Sequence, residues 1–171
     1  KGPYLEQDIA LSNIALDHLG HAVGFLQTAG AVEEKGRSED DLAYLRTERE
    51  YRNIQLVEQP RGDFAYTIAR QFLFAAYSAL LFERLNESSF EPLANISRKA
   101  AKENAYHARH SREWLLRLGD GTEESHEKIQ NALNDVWRFT GEMFEEYPAE
   151  LVTANIAPNM TEIRTAWETY V

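Results

Sequence analysis

The chain has 171 residues, 43% hydrophobic and 27% charged, a composition ordinary for one soluble globular domain spanning 1–171. Its net charge of −10 argues against a nucleic-acid partner, because phosphate binding needs clustered Lys and Arg. With no cysteine, disulfides, thiolate metal sites and cysteine nucleophiles are excluded.

Period-3.6 patterning predicts five or six helices and no strand. The first covers about Leu5 to Ala31, with Ile9, Leu16, Leu19, Val23 and Leu26 as its apolar stripe. Gly30 and the charged stretch Glu33 to Arg37 end it. A more polar second helix is expected over Glu39 to Glu58. Gln59-Pro60-Arg61-Gly62-Asp63 has turn chemistry, and Asp63 is placed to cap a third helix from Phe64 to about Glu87. That helix carries Phe64, Ile68, Phe72, Ala75, Ala79, Phe82 and Leu85 on one face. A fourth starts near Pro92, a residue tolerated in a first turn, and stops at Gly119-Asp120-Gly121. The fifth enters at Thr122-Glu123-Glu124-Ser125, buries Ile129, Leu133, Val136, Trp137 and Phe144, and closes at Tyr147-Pro148. Thr161 to Tyr170 forms a short terminal helix containing Trp167. Long helices with short connections predict an all-α, antiparallel bundle.

No apolar run approaches the ~20 residues that span a bilayer; the longest, Phe72 to Phe82, is interrupted by Tyr77 and Ser78. No membrane partner and a cytoplasmic location are therefore expected. Asn86-Glu87-Ser88, Asn95-Ile96-Ser97 and Asn159-Met160-Thr161 match the glycosylation acceptor pattern, and are read as chance because no secretory signal is visible. Opening at Lys1-Gly2-Pro3 without methionine, the chain reads as an excerpt of a longer protein.

Polar residues intrude on two helix faces. Asn13, Asp17 and His21 recur every fourth residue in the first helix, with Gly20 and Gly24 beside them. In the fourth, the stripe Leu93, Ile96, Ala100, Glu103, His107, Ser111 and Trp114 places Glu103 and His107 where apolar residues belong. A buried carboxylate needs a partner. Facing carboxylates and histidines resemble the dinuclear centre of ferritin-like proteins, where Glu-x-x-His spacing sets the ligands. Here both spacings are i, i+4. Tyr106 stands where Glu103 would need its histidine, and Gly20 where Asp17 would. The third helix offers Gln71, Tyr77 and Ser78 in place of a glutamate. The positions of a degenerate site are thus Asp17, His21, Gln71, Glu103, Tyr106 and His107, read as a hydrogen-bonded polar network with no metal held and no catalytic residue. His18, His110 and His126 are read as surface residues.

Several stretches carry a closer resemblance. They are Asp8-Ile9-Ala10-Leu11-Ser12-Asn13-Ile14-Ala15-Leu16-Asp17-His18-Leu19-Gly20-His21; Leu56-Val57-Glu58-Gln59-Pro60 with Gly62-Asp63-Phe64-Ala65 and Thr67-Ile68-Ala69-Arg70-Gln71; Lys102-Glu103 with Tyr106-His107, leading to Trp114-Leu115 and Arg117-Leu118-Gly119-Asp120-Gly121-Thr122; and Trp137-Arg138-Phe139-Thr140 with Arg164-Thr165-Ala166-Trp167. Across nearly its whole length the chain resembles the C-type subunits of the bacterial ring-1,2-phenylacetyl-CoA epoxidases. The resemblance implies a ferritin-like structural subunit that binds no cofactor of its own. It implies a homologous catalytic partner carrying di-iron, a flavin and iron–sulfur reductase working through the complex, and assembly as a hetero-oligomer, with a homodimer also open. It further implies a core helix before Leu5 and a longer segment around Glu146 to Asn159. Two other functions compete: a di-iron oxygenase or oxidase in its own right, with Asp17, His21, Glu103 and His107 as ligands, and a metal-free module for a hydrophobic acyl-CoA.

Overall fold

A computed structural model describes residues 2–171. Among these the chain is helical with no strand, as the patterning predicts: α1 (Leu5–Glu33), α2 (Glu39–Tyr44), α3 (Gln55–Glu58), α4 (Phe64–Leu85), α5 (Glu91–Gly119), α6 (Glu123–Trp137), α7 (Ala149–Thr153) and α8 (Met160–Tyr170), with 3₁₀ turns at Glu48–Glu50 and Gly141–Phe144. The starts have local chemical causes. Asp63 Oδ1 accepts the Tyr66 N–H at 2.8 Å, Thr122 Oγ1 that of Ser125 at 3.2 Å, and Asn159 Oδ1 that of Glu162 at 3.2 Å. Each satisfies a first-turn donor that the helix cannot satisfy itself. α1 stops where Glu34 turns left-handed, at φ 55°.

α4 and α5 form the most extensive helix pair; α6 packs on both, α1 on α5, and α8 on α4. The core is the α4 face of Ile68, Phe72, Leu73 and Ala76, closed over by α6 and by Met160, Ile163 and Trp167 of α8. Residues of two of the glycosylation-type motifs have structural jobs. Asn159 is the cap of α8, and Ser97 Oγ bonds the Leu93 carbonyl at 2.8 Å inside α5. The stretch from Glu146 to Asn159 folds back on the bundle, where Asn155 Nδ2 donates to the Glu87 carbonyl at 2.8 Å and Thr161 Oγ1 to Glu146 at 2.7 Å.

Three expectations need correction. The single helix over Glu39 to Glu58 is broken into α2, a 3₁₀ turn and α3. Of its apolar positions only Leu42 and Leu56 are buried, while Leu45 is 76% exposed. A short helix without a continuous buried stripe lacks tertiary support. Thr47 adds a competing start, its N–H donating to Glu50 at 2.7 Å. The fifth helix ends at Trp137, ten residues before the expected Tyr147, because i→i+3 bonds at Phe139 and Thr140 tighten the chain into the 3₁₀ turn. Phe144 is buried from that turn, and Trp137 lies half outside.

The third correction concerns α1. Of its predicted stripe, Ile9, Leu16, Leu19 and Val23 face outward at 44% to 63% exposure and only Leu26 is half-buried, while Leu5 and Val32 beside them are 72% and 62% exposed. The inward face is instead Ala10, Ile14 and His21, with Asp17, His18 and Phe25 half-buried. Between Asp8 and Glu33 the one acidic or basic side chain besides histidine is Asp17. By length and composition α1 could cross a membrane, which the expectation of no such run missed. Its middle, however, carries Asp17, His18 and His21, which face α5 and are costly in hydrocarbon.

Candidate functional site

The inward face of α1 meets α5 at four side chains the sequence singles out. Their pairing is crossed between the helices. His21 Nε2–H of α1 donates to Glu103 Oε2 of α5 at 2.6 Å, and His107 Nε2–H of α5 donates to Asp17 Oδ2 of α1 at 2.9 Å. Each i, i+4 pair therefore splits, its histidine turning to the opposite helix's carboxylate. The histidines are buried, His107 fully and His21 to 6% exposure. The carboxylates lie nearer the edge, where Lys99 Nζ approaches Glu103 at 3.9 Å. A buried imidazole is thus matched to an acceptor that keeps partial access to water, so desolvation falls on the more weakly hydrated partner.

Helical geometry dictates this placement. Side chains four apart lie one turn above each other on the same face. Asp17 and His21 therefore form a vertical pair on α1, as do Glu103 and His107 on α5. Laid side by side, each turn of one helix faces a turn of the other.

A third histidine belongs to the cluster. His18, expected at the surface, is half-buried, its ring centroid 5.0 Å from that of His107, 5.8 Å from His21 and 5.8 Å from the Phe74 ring. Burial, then the neighbouring His107 and His21, push its pKa down to about 4, against a smaller opposing pull from Asp17. His18 Nε2 and His107 Nδ1 are both buried without a hydrogen-bond partner. His110 is likewise no surface residue: it is half-buried, burial lowers its pKa, and its Nε2–H donates to Gln7 Oε1 at 2.9 Å. His126 is exposed as expected.

His18 makes stability pH-dependent, and the sign follows from its neutral folded state. The unfolded imidazole titrates near 6.5 and the folded one near 4. Between these values the unfolded chain binds more protons, so stability is complete above pH 6.5 and is lost as the pH falls toward 4. The melting temperature of the wild type is expected to fall more steeply from pH 7 to 5 than that of His18→Leu. Parallel curves would show that another group governs the loss.

The other two degenerate positions make no hydrogen bond to the paired residues, although the Tyr106 ring meets that of His107 edge-on at 6.2 Å. Tyr106 is 41% exposed and lies against His110, ring centroids 6.0 Å apart, and beneath the Arg109 guanidinium at 5.8 Å. Gln71 sits half-buried on α4, its Nε2 unpartnered. A dinuclear metal needs several carboxylate oxygens and imidazole nitrogens converging on one point. Here the Nε2 atoms of His21 and His107 are directed at carboxylates, and among the described residues no three ligating side chains converge. The residues present do not fit a di-iron centre. His18 stands one residue after Asp17 and three before His21, so i, i+3 spacing places it on the same arc of α1, a signal the surface expectation overlooked.

Set beside known proteins, the chain is 50% identical over 171 residues to the C-type subunit of the 1,2-phenylacetyl-CoA epoxidase of Escherichia coli (strain K12), an alignment covering 99% of this chain and 68% of that protein. The family described as phenylacetic acid catabolic protein matches residues 1–171. The family resemblance read from the motifs agrees with both. The chain belongs to the phenylacetic acid catabolic protein family.

Proposed function

We propose that the chain is a non-catalytic, structural subunit of a multicomponent oxygenase that epoxidises the ring of phenylacetyl-CoA in aerobic phenylacetate degradation. It scaffolds a homologous catalytic subunit that carries di-iron, while a reductase supplies electrons through the complex. The observation carrying this reading is the crossed pairing of Asp17 with His107 and of His21 with Glu103, which commits the would-be ligands to one another. The 50%-identical relative, named as one subunit of an epoxidase, supports the assignment to such a complex. A rigid scaffold contributes to chemistry by holding its partner's ligands and substrate pocket in place. The outward face of α1, aliphatic and nearly free of charge, supports obligate association, since isolated proteins seldom expose a continuous apolar patch of this kind.

Two measurements test the reading. The full-length protein, purified alone after expression with added iron, should hold less than about a tenth of an equivalent of metal per chain, because a complete ligand set would retain it. About two irons per chain, lost on replacing Glu103 or His107, would instead make this a metal-binding oxygenase subunit. Mixed with the catalytic subunit at micromolar concentration, the protein should co-elute on size exclusion. Separate elution of the two would end the scaffold assignment.

A further inference from the structure

A cleft of about 430 Å³, partly open to solvent, lies next to the polar cluster and is lined by residues of α1, α4 and α5, by Ile54 and by Tyr147 and the α7 region. Its size is that of a small-molecule site, and small-molecule sites are characteristically apolar with few polar groups. Five aromatic rings line it: Phe25, Phe74, Tyr77, Phe82 and Tyr147. No charged side chain does; the hydroxyl-bearing residues in the lining are Tyr77, Ser78 and Tyr147. Phe25 and Phe82 are stacked, centroids 5.9 Å apart at 15°, and Phe74 meets Tyr77 at 6.2 Å.

Two of these walls are shared with the histidines. The Phe74 ring lies 5.8 Å from His18 and the Phe82 ring 5.7 Å from His21. The cleft and the polar cluster are therefore opposite sides of one aromatic layer. That layer presents ring faces and edges at the separations aromatic pairs prefer. An anion would find no cationic partner there, and a cation no carboxylate. Burying either unpaired would be costly.

We propose that this cleft is a binding site for an uncharged aromatic molecule of one or two rings, held by stacking and edge contacts with Phe25, Phe74 and Phe82 and oriented by a hydrogen bond to the Tyr77 or Ser78 hydroxyl. The site is independent of the scaffold reading: it requires neither metal nor partner. Occupancy displaces no element of the bundle core, because the space already exists between the helices.

The test is a fluorescence titration of the full chain with 6-propionyl-2-(dimethylamino)naphthalene, a neutral two-ring probe whose emission moves to the blue and brightens when buried. Saturable binding near one probe per chain is expected, with displacement by indole at least tenfold more effective than by cyclohexanol. Ser78→Phe and Leu81→Trp, which fill the space from α4, should each weaken binding at least tenfold. Leu16→Asp combined with Leu19→Asp, on the outward face of α1, should leave it unchanged. Should the filling variants unfold, ring-proton shifts in the wild type decide: the probe should move Phe74 and Tyr77 signals and leave the Leu16 and Leu19 methyls still. Binding that never saturates, that disappears with the Leu16/Leu19 variant, or that cyclohexanol displaces as well as indole does, would overturn the assignment.

Discussion

Asp17→Leu is expected to destabilise the protein by about 2–3 kcal/mol, the cost of stranding a buried polar group. The group stranded is His107, which is fully buried and whose Nε2–H has Asp17 as its partner, 2.9 Å away. Its other nitrogen is already unpartnered, so the imidazole would be left with no hydrogen bond at all. His107→Leu should cost less, roughly 1–2 kcal/mol, because Asp17 keeps a third of its side chain exposed and can turn to water. The double variant, with leucine at both positions, should return to within about 1 kcal/mol of the wild type, since replacing a buried pair by apolar side chains is often neutral or better. Urea denaturation of the four proteins closes the cycle. Strict additivity of the two single effects would mean that the pair is not what couples α1 to α5. A polar network predicts the recovery, whereas a metal site would lose its metal with the first substitution and gain nothing from the second.

Trp167→Ala should destabilise the fold still more, by about 3–5 kcal/mol. Trp167 is 1% exposed, and its ring lies 5.2 Å from Phe144 and 5.3 Å from Trp137. Its Nε1–H donates to the Leu73 carbonyl at 3.1 Å. Truncation therefore leaves a cavity and removes the bond that ties α8 to α4. For a chain of this length the melting temperature should drop by about 6–20 °C. Trp167→Phe keeps most of the packing and loses the hydrogen bond, so about 1–2 kcal/mol is expected. If both variants melt within a few degrees of the wild type, α8 does not clamp α4. The site would feel the change at a distance, because α4 carries Phe74, the ring against His18.

The two effects differ in kind. Trp167 acts through area and shape, which are additive with distant changes and insensitive to pH. The crossed pairs act through matched polarity, so their worth depends on which partner remains.

The features legible in the residues alone are local in origin. The caps at Asp63 and Thr122, the break at Gly119-Asp120-Gly121 and the buried face of α4 could all be read, because capping and periodicity depend on residues within a turn or two of each other. The arrival of Asp17 and His21, and of Glu103 and His107, on single helix faces could be read for the same reason. The family could be read from motifs distributed along the chain.

Tertiary structure decided what depends on the choice between faces. α1 has two apolar arcs, and hydrophobicity alone favours the one with Leu16, Leu19 and Val23; the fold turns that arc outward and buries the arc with Asp17, His18 and His21. Desolvating those polar groups is tolerable because α5 presents Glu103 and His107 at the matching height, a compensation invisible until two helices are in register. The loss of the second helix has the same origin, since Leu45 found no neighbour to bury it. Local chemistry sets where helices begin and end, but the side of a helix that faces the core is settled by the free energy of the whole interface, polar partners included.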